Sequence, residues 1–262
     1  MPFIDINGMR VAYEDVGTGL PIVFIPGLVG TKEWFTYQFI GLREKYRVIS
    51  YDLRPAHSTA AYTLDLLTND LARLIAALKL EPAVIVGHCF GGMIAQNIAI
   101  THHDQVDALI LISAFPTMNG ATREQIIEWM SPGEIQLETT FQTMLKRLFH
   151  TKPRTIPENA EGLDWLAAHS AQMSRTTLDA RIGLVQSFDS SPWLSDIEAP
   201  TLIITGAQDQ ELFLTGAQAL YEGIPKSELE VLEDGNHYCF YTRHDAVNGL
   251  IEDFLTEHLT EL

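Results

Sequence analysis

Short apolar runs alternate along the chain with longer stretches in which apolar positions recur every three or four residues. The short runs are rich in β-branched residues, which predicts strands buried on both faces. Eight strands are predicted, at residues 4–6, 9–13, 21–25, 47–51, 84–86, 108–113, 201–206 and 229–232. Because strands alternate with helices, most of them should run parallel in one sheet. The first two flank Asn7-Gly8, a strong hairpin signal, and should pair antiparallel.

The alternation of strand and helix stops between Phe115 and about Ser195. No β-branched run occurs there, and helical spacing dominates. Prolines stand at the ends and joints of these segments, where they end helices and stiffen loops. The predicted helices are 124–130, 138–149, 163–173 and 178–188. The sequence therefore predicts an all-helical insert between the sixth and seventh strands.

One predicted strand ends in Gly87-His88-Cys89-Phe90-Gly91, and a helical pattern begins at once. So tight a turn strains the backbone of its central residue and leaves no room for side chains two positions away, which glycine accommodates. We therefore expect Cys89 to be presented as a nucleophile. The alternative is an ordinary strand-to-helix turn with a buried cysteine, and the strand before and helix after make it the weaker interpretation.

A nucleophilic thiol needs a base, and the base needs an acid that orients it. In an open α/β sheet such groups gather on loops that leave the carboxyl ends of strands. His237 follows the last predicted strand, and Asp209 directly follows the strand before it. We therefore predict the triad Cys89, Asp209 and His237, with His57 and Glu211 as the alternative base and acid.

Several other reactive residues are expected to be structural. His88 should point away from Cys89, and Cys239 should pack inertly. Asp52 also follows a strand, but Arg54 stands two residues away, so the two are predicted to form an ion pair within their loop.

These motifs, with the order nucleophile, acid, histidine, resemble the α/β-hydrolase fold family over nearly the whole chain. The resemblance implies a mostly parallel eight-stranded sheet flanked by helices, with the insert as a helical cap. It divides the chain into a core, 1–114 and 196–262, and a cap, 115–195. It also implies an oxyanion hole formed by the backbone N–H groups of Leu28 and Phe90. Three features depart from the usual pattern: cysteine replaces serine, the loop after Asp52 lacks the common glycines, and Pro26-Gly27 stands where many members have histidine-glycine.

The resemblance and the thiol together imply a hydrolase of carboxylic ester, thioester or lactone bonds that forms an acyl-Cys89 intermediate. The substrate should be a small, largely apolar acyl compound, because the insert is rich in apolar and adaptable side chains. The candidate substrate-binding residues are Trp129, Met130, Phe141, Met144, Trp165 and Met173. Two alternatives stay open: an acyltransferase with the same intermediate, and a small-molecule receptor on a hydrolase scaffold. Cys89 as a deliberate replacement of serine also stays open.

Composition narrows the range of partners. The chain has 262 residues, 34 acidic and 17 basic, with a formal net charge of −17. Such a charge repels nucleic acids and anionic membranes, so neither is an expected partner. No export signal or membrane span is expected, and two distant cysteines indicate reduced thiols and a cytoplasmic location. We expect no cofactor or metal ion, and a monomer or homodimer.

Overall fold

A computed structural model describes residues 2–56, 61–118, 120–130 and 174–259 of the chain. Its centre is one eight-stranded sheet with the order β1-β2-β4-β3-β5-β6-β7-β8. The strands are β1 (Phe3–Ile6), β2 (Met9–Val16), β3 (Pro21–Ile25), β4 (Arg47–Tyr51), β5 (Ala83–His88), β6 (Val106–Ile112), β7 (Thr201–Gly206) and β8 (Ser227–Leu232). All eight predicted strands are confirmed.

The strand directions follow the connections. β1 and β2 form the predicted antiparallel hairpin, and β2 also pairs antiparallel with β4. The six strands from β3 to β8 are mutually parallel. The middle strands β5 and β6 are almost entirely buried, in keeping with their unbroken apolar sequences. Because the parallel strands share one direction, their carboxyl ends meet at a single edge of the sheet.

Helices flank the sheet. They are α1 (Thr36–Leu42), α2 (Leu64–Leu78), α3 (Phe90–Thr101), α4 (Arg123–Met130), α5 (Arg175–Ser187), α6 (Glu211–Gly223), α7 (Cys239–Thr242) and α8 (His244–His258). The Thr63 side chain caps α2 as predicted, by accepting the Leu66 backbone N–H at 3.1 Å. Among the described residues, no helix has the length and apolar character needed to cross a bilayer.

The chain between β6 and β7 contains α4 and α5, which match the first and last helices predicted for the insert. The helices predicted at 138–149 and 163–173 lie outside the described residues. α5 buries Leu178, Ile182 and Val185. Its Ser174 cap accepts the Thr177 backbone N–H at 3.1 Å, and the buried Thr177 hydroxyl accepts the Ala56 N–H at 3.1 Å. The amino end of α5 is therefore fixed to the loop that follows β4.

Candidate active site

Cys89 occupies the sharp turn between β5 and α3. Its backbone has φ 50° and ψ −111°, a region that side-chain-bearing residues rarely adopt. The conformation is held because the Cys89 N–H donates to Ile112 O at 3.0 Å and the Gly92 N–H donates to Cys89 O at 2.9 Å. The side chain is partly exposed. The turn thus presents the thiol at the carboxyl edge of the sheet, as the sequence predicts.

The glycines of this turn are required by close packing. A Cβ on Gly87 would lie 2.6 Å from Gly91 O and 2.7 Å from the Ala95 Cβ. A Cβ on Gly91 would overlap the carbonyl oxygen of Ile25, at the end of β3. α3 can therefore approach β3 and β5 this closely only because glycine stands at both positions.

Asp209 and His237 lie on neighbouring loops at the same edge, after β7 and β8. The imidazole Nδ1 of His237 is 3.0 Å from Asp209 Oδ2. The two loops are joined through the Gln208 N–H, which donates to Gly235 O at 2.9 Å. Backbone hydrogen bonds thus place the carboxylate beside the ring.

The electrostatic setting of His237 favours its charged form. Burial opposes the charge, but Asp209 and Cys89, by charge and by hydrogen bonding, raise the pKa of His237 to about 10. The structure therefore brings the three residues of the predicted triad together, with His237 between the sulfur and the carboxylate.

His88 supports the backbone of His237. Burial, and then the charge of His237, hold the pKa of His88 well below its usual range, so its ring is neutral. Its Nε2 lies 2.9 Å from His237 O. Because a carbonyl only accepts, Nε2 carries the proton and donates it. His88 thus has the structural role predicted for it.

Leu28 and Phe90, the predicted oxyanion residues, lie beside the nucleophile turn. Phe90 is the first residue of α3, where a backbone N–H has no partner within the helix. Leu28 lies in a turn closed by the Gly30 N–H, which donates to Gly27 O at 3.1 Å. A Cβ on Gly27 would lie 3.6 Å from the Cys89 Cβ, so this turn packs directly against the nucleophile turn.

The predicted ion pair between Asp52 and Arg54 is wrong. Arg54 instead forms a double hydrogen bond with Asp70 of α2, through Nε to Oδ2 and through Nη2 to Oδ1 at 2.8 Å. Asp52 accepts the backbone N–H of Lys32 at 3.0 Å, and its Oδ2 lies 3.4 Å from the Lys32 ammonium. Both residues are structural, but each has a partner from a different element.

Other predicted residues have varied outcomes. Cys239 is fully buried, and burial raises the pKa of its thiol to about 12, in keeping with an inert packing role. Both cysteines are free. His57 lies outside the described residues. Two of the predicted substrate-binding residues lie in α4 with side chains that are not described, Trp129 and Met130. The other four lie outside the described residues: Phe141, Met144, Trp165 and Met173.

Within the described residues, one cluster has the composition of a metal site: Glu228, Glu257 and His258. Its groups lie within 4.8 Å of one another, and His258 Nε2 is 2.6 Å from Glu228 Oε1. Glu228 stands at the start of β8, whereas His237 follows the end of β8. The cluster is therefore at the opposite edge of the sheet from Cys89 and is not part of the candidate site.

Arg181 of α5 was not singled out from the sequence, although it reaches the candidate site. It is 2% exposed, and its Nη1 donates to Leu28 O at 2.7 Å. The one available signal was its spacing, because Arg181 falls on the same helical face as the buried Leu178 and Ile182.

Comparison with known proteins agrees with the fold. The alpha/beta hydrolase fold family matches residues 21–243. The putative non-heme bromoperoxidase BpoC of Mycobacterium tuberculosis is 27% identical, with 94% of this chain and 97% of that protein covered. The AB hydrolase superfamily protein YisY of Bacillus subtilis is 29% identical, with 92% and 93% covered.

A solved structure, the esterase EaEST from Exiguobacterium antarcticum, superimposes with a TM-score of 0.84 at 25% identity and covers 97% of this chain and 98% of its own. The family match spans all of the sheet except the first hairpin, together with both loops that carry Asp209 and His237. The chain therefore belongs to the alpha/beta hydrolase fold family and is, at that general level, a hydrolase.

Proposed function

We propose that this chain hydrolyses ester, thioester or lactone bonds of a small, largely apolar acyl compound through an acyl-Cys89 intermediate. The observation that carries the proposal is the placement of His237 between Cys89 and Asp209, with hydrogen bonds to both side chains. A thiol beside a protonated imidazole loses its proton readily, and the thiolate is the nucleophilic form. The strained turn then leaves the sulfur accessible to a carbonyl carbon.

The reaction follows from these positions. The Cys89 sulfur attacks the carbonyl carbon, and the carbonyl oxygen becomes an oxyanion that accepts the N–H groups of Leu28 and Phe90. The C–O or C–S bond to the leaving group breaks, and the His237 imidazolium gives its proton to that group. Water then attacks the acyl-sulfur bond, His237 takes a proton from the water, and the acid leaves with Cys89 again a thiolate. One preorganised backbone donor is typically worth about 3 kcal/mol in the transition state.

Sulfur chemistry favours activated acyl groups. A free thiol has a pKa of about 8.5, much closer to neutrality than that of a hydroxyl group, so sulfur needs less help from the base. Thiolate is also a good leaving group, so attack on an ordinary amide tends to reverse. Esters, thioesters and lactones are therefore the expected substrates, and the similar fold of a solved esterase supports the ester member of this set.

The surroundings of His237 favour an apolar acyl group. The Phe213 ring lies with its centroid 4.2 Å from that of the imidazole, and the Tyr238 ring stands edge-on at 5.1 Å. Such a wall offers apolar contact to the acyl group of the substrate. The predicted contacts from Trp129, Met130 and the other insert residues would extend it.

Intact-protein mass spectrometry tests the intermediate. Wild-type protein is mixed with p-nitrophenyl butyrate, or with a butyryl thioester of N-acetylcysteamine, and quenched in acid within the first turnover. We expect an added butyryl group that peptide mapping locates at Cys89. Cys239→Ala should retain the adduct and Cys89→Ala should lose it. Turnover without any adduct on Cys89, or an equal adduct in Cys89→Ala, would refute the mechanism.

Product analysis separates hydrolysis from acyl transfer. With n-propanol added at a concentration well below that of water, hydrolysis predicts butyric acid as the main product. A propyl ester as the main product would instead assign acyl transfer. Replacement of Cys89 by Ser tests the role of sulfur: we expect the ratio of thioester to ester turnover to fall.

A further inference from the structure

Arg181 is a buried cation whose described partners are all neutral. Its side chain reaches from α5 to Leu28 O at 2.7 Å through Nη1 and to Leu53 O at 3.4 Å through Nη2. Its Nε donates to the Tyr62 hydroxyl at 3.2 Å. None of the carboxylates in the described ranges forms an ion pair with it. A buried charge held only by neutral groups is costly, so ion pairs within the described residues do not account for its place in the fold.

The contacts of Arg181 converge on both residues that hold the oxyanion in the proposed reaction. One is the hydrogen bond to the carbonyl of Leu28. The other is with Phe90, because the guanidinium carbon lies over the Phe90 ring, 5.6 Å from its centroid. Leu28 lies in the turn after β3 and Phe90 begins α3, and Arg181 is a single side chain that contacts both.

The Leu28 N–H lies in the peptide plane that joins Gly27 to Leu28, and the Leu28 carbonyl lies in the next plane, so the residue is held in place when both planes are held. The preceding plane is fixed because Gly27 O accepts the Gly30 N–H at 3.1 Å. In a trans peptide the N–H points opposite to the C=O, so this bond also sets the direction of the Leu28 N–H. The following plane is fixed because Leu28 O accepts from Arg181. Without Arg181 the second plane loses this anchor, and Leu28 is then held from the side of Gly27 only.

We propose that Arg181 is the positioning residue of the oxyanion hole, which it fixes from the side of α5 by holding Leu28 and covering Phe90. This inference rests on the proposed function. The guanidinium does not touch the reacting atoms. It acts by keeping two backbone donors aimed at one point, which matters because a preorganised donor stabilises the oxyanion only at the correct distance and angle.

Two reactions of the Cys89 sulfur separate positioning from general damage. Acylation by p-nitrophenyl butyrate passes through an oxyanion. Alkylation by iodoacetamide forms the S–C bond and releases iodide at a saturated carbon, with no oxyanion. For Arg181→Met we expect the acylation rate to fall roughly 10- to 100-fold, less than or comparable to the loss of one oxyanion donor, with alkylation nearly unchanged. The loss should fall in kcat rather than KM.

Arg175→Met is the matched control, since Arg175 lies on the same helix with a side chain that is 68% exposed. Both of its rates should equal those of wild type. Arg181→Lys keeps the positive charge and most of the aliphatic part of the side chain. It is therefore the second test variant if Arg181→Met does not fold. An ammonium lacks the planar fork that reaches the oxygens of both Leu28 and Leu53, so acylation should again fall selectively.

The outcomes distinguish the two proposals. Acylation that is unchanged in both Arg181 variants, or that falls in proportion to alkylation, would overturn the positioning role. Wild-type protein that is alkylated at Cys89 but never acylated would overturn the proposed function, and the positioning role with it.

Discussion

One carboxylate oxygen of Asp209 contacts the His237 ring, and the other accepts a backbone N–H from Gln210. Its Oδ2 lies 3.0 Å from His237 Nδ1, and its Oδ1 accepts the Gln210 N–H at 2.8 Å. The Asp209 side chain is 1% exposed, so water does not compete for the contact. Because Nδ1 is engaged with Asp209, Nε2 is the nitrogen left to exchange a proton with Cys89.

Replacement of Asp209 by Asn should slow hydrolysis of the ester by roughly 10²- to 10⁴-fold, as expected when the acid that sets the histidine tautomer is lost. An Asn side chain can donate a hydrogen bond to Nδ1 of His237, and the ring proton then sits on Nε2. Nε2 faces the sulfur and, once protonated, cannot accept a proton from it. Steady-state kinetics with p-nitrophenyl butyrate measures the effect.

Glu211→Gln is the control for that substitution, because Glu211 is the alternative acid in the sequence and is exposed at the start of α6. Its kcat/KM should stay close to that of wild type. A larger loss in Glu211→Gln than in Asp209→Asn would exchange the roles of the two carboxylates.

The raised pKa of His237 has a consequence for stability. The folded-state pKa, about 10, lies above the ordinary value of 6.5. The charged ring therefore stabilises the fold fully below about pH 6.5, and this contribution is lost as pH rises towards 10. Urea unfolding of wild type and His237→Gln should show a difference in unfolding free energy that shrinks across this window. The same comparison with His103→Gln, at an exposed position, gives the baseline, and a difference that grows with pH would contradict the assigned shift.

Removal of the sulfur should lower the pKa of His237. Burial lowers it, whereas Asp209 and Cys89 raise it, each by charge and by hydrogen bonding. In Cys89→Ala the pKa should therefore fall below about 10. NMR titration of the His237 ring protons measures it. Cys239→Ala should leave the titration as in wild type, and an unchanged pKa in Cys89→Ala would mean that the two side chains are not coupled.

The strands, and the meeting of Cys89, Asp209 and His237 at one edge of the sheet, could be predicted because each depends on local sequence. Cys89 directly follows β5, Asp209 and His237 lie in the loops after β7 and β8, and parallel strands bring their carboxyl ends to one edge. Strand ends were harder to predict. β2 extends to Val16 because residues 13–16 pair with β4, although Glu14 and Asp15 break the apolar run. Such pairing is a tertiary effect.

The partners of charged side chains could not be predicted in the same way. Arg54 and Asp52 are neighbours in sequence, yet Arg54 reaches Asp70, sixteen residues away on α2, because the loop and the helix meet in space. Arg181 contacts Leu28 across 153 residues. No spacing rule links such positions, so a prediction from sequence proximity alone was wrong for Arg54 and absent for Arg181.

Gly91 lies where the turn at Cys89 packs against the backbone that leads to Leu28 of the proposed oxyanion hole. A Cβ there would overlap Ile25 O and lie 2.8 Å from Pro26 O, in the backbone that leads to Leu28. Gly91→Ala must therefore displace backbone rather than a flexible side chain, and should lower the free energy of unfolding by about 1–3 kcal/mol, as overpacking does. Acylation of Cys89 should fall with it, because the displaced segment carries the Leu28 N–H.

The matched control is Gly183→Ala in the middle of α5, where the position is exposed and a Cβ would meet none of the described residues within 4 Å. Alanine has the higher helix propensity, so this variant should gain about 0.5–1 kcal/mol. Urea unfolding and burst-phase acylation, measured on both variants, test the pair of expectations. Equal stability of the two variants would show that α3 can move away from β3 without loss, and that the closeness of the two turns does not depend on glycine.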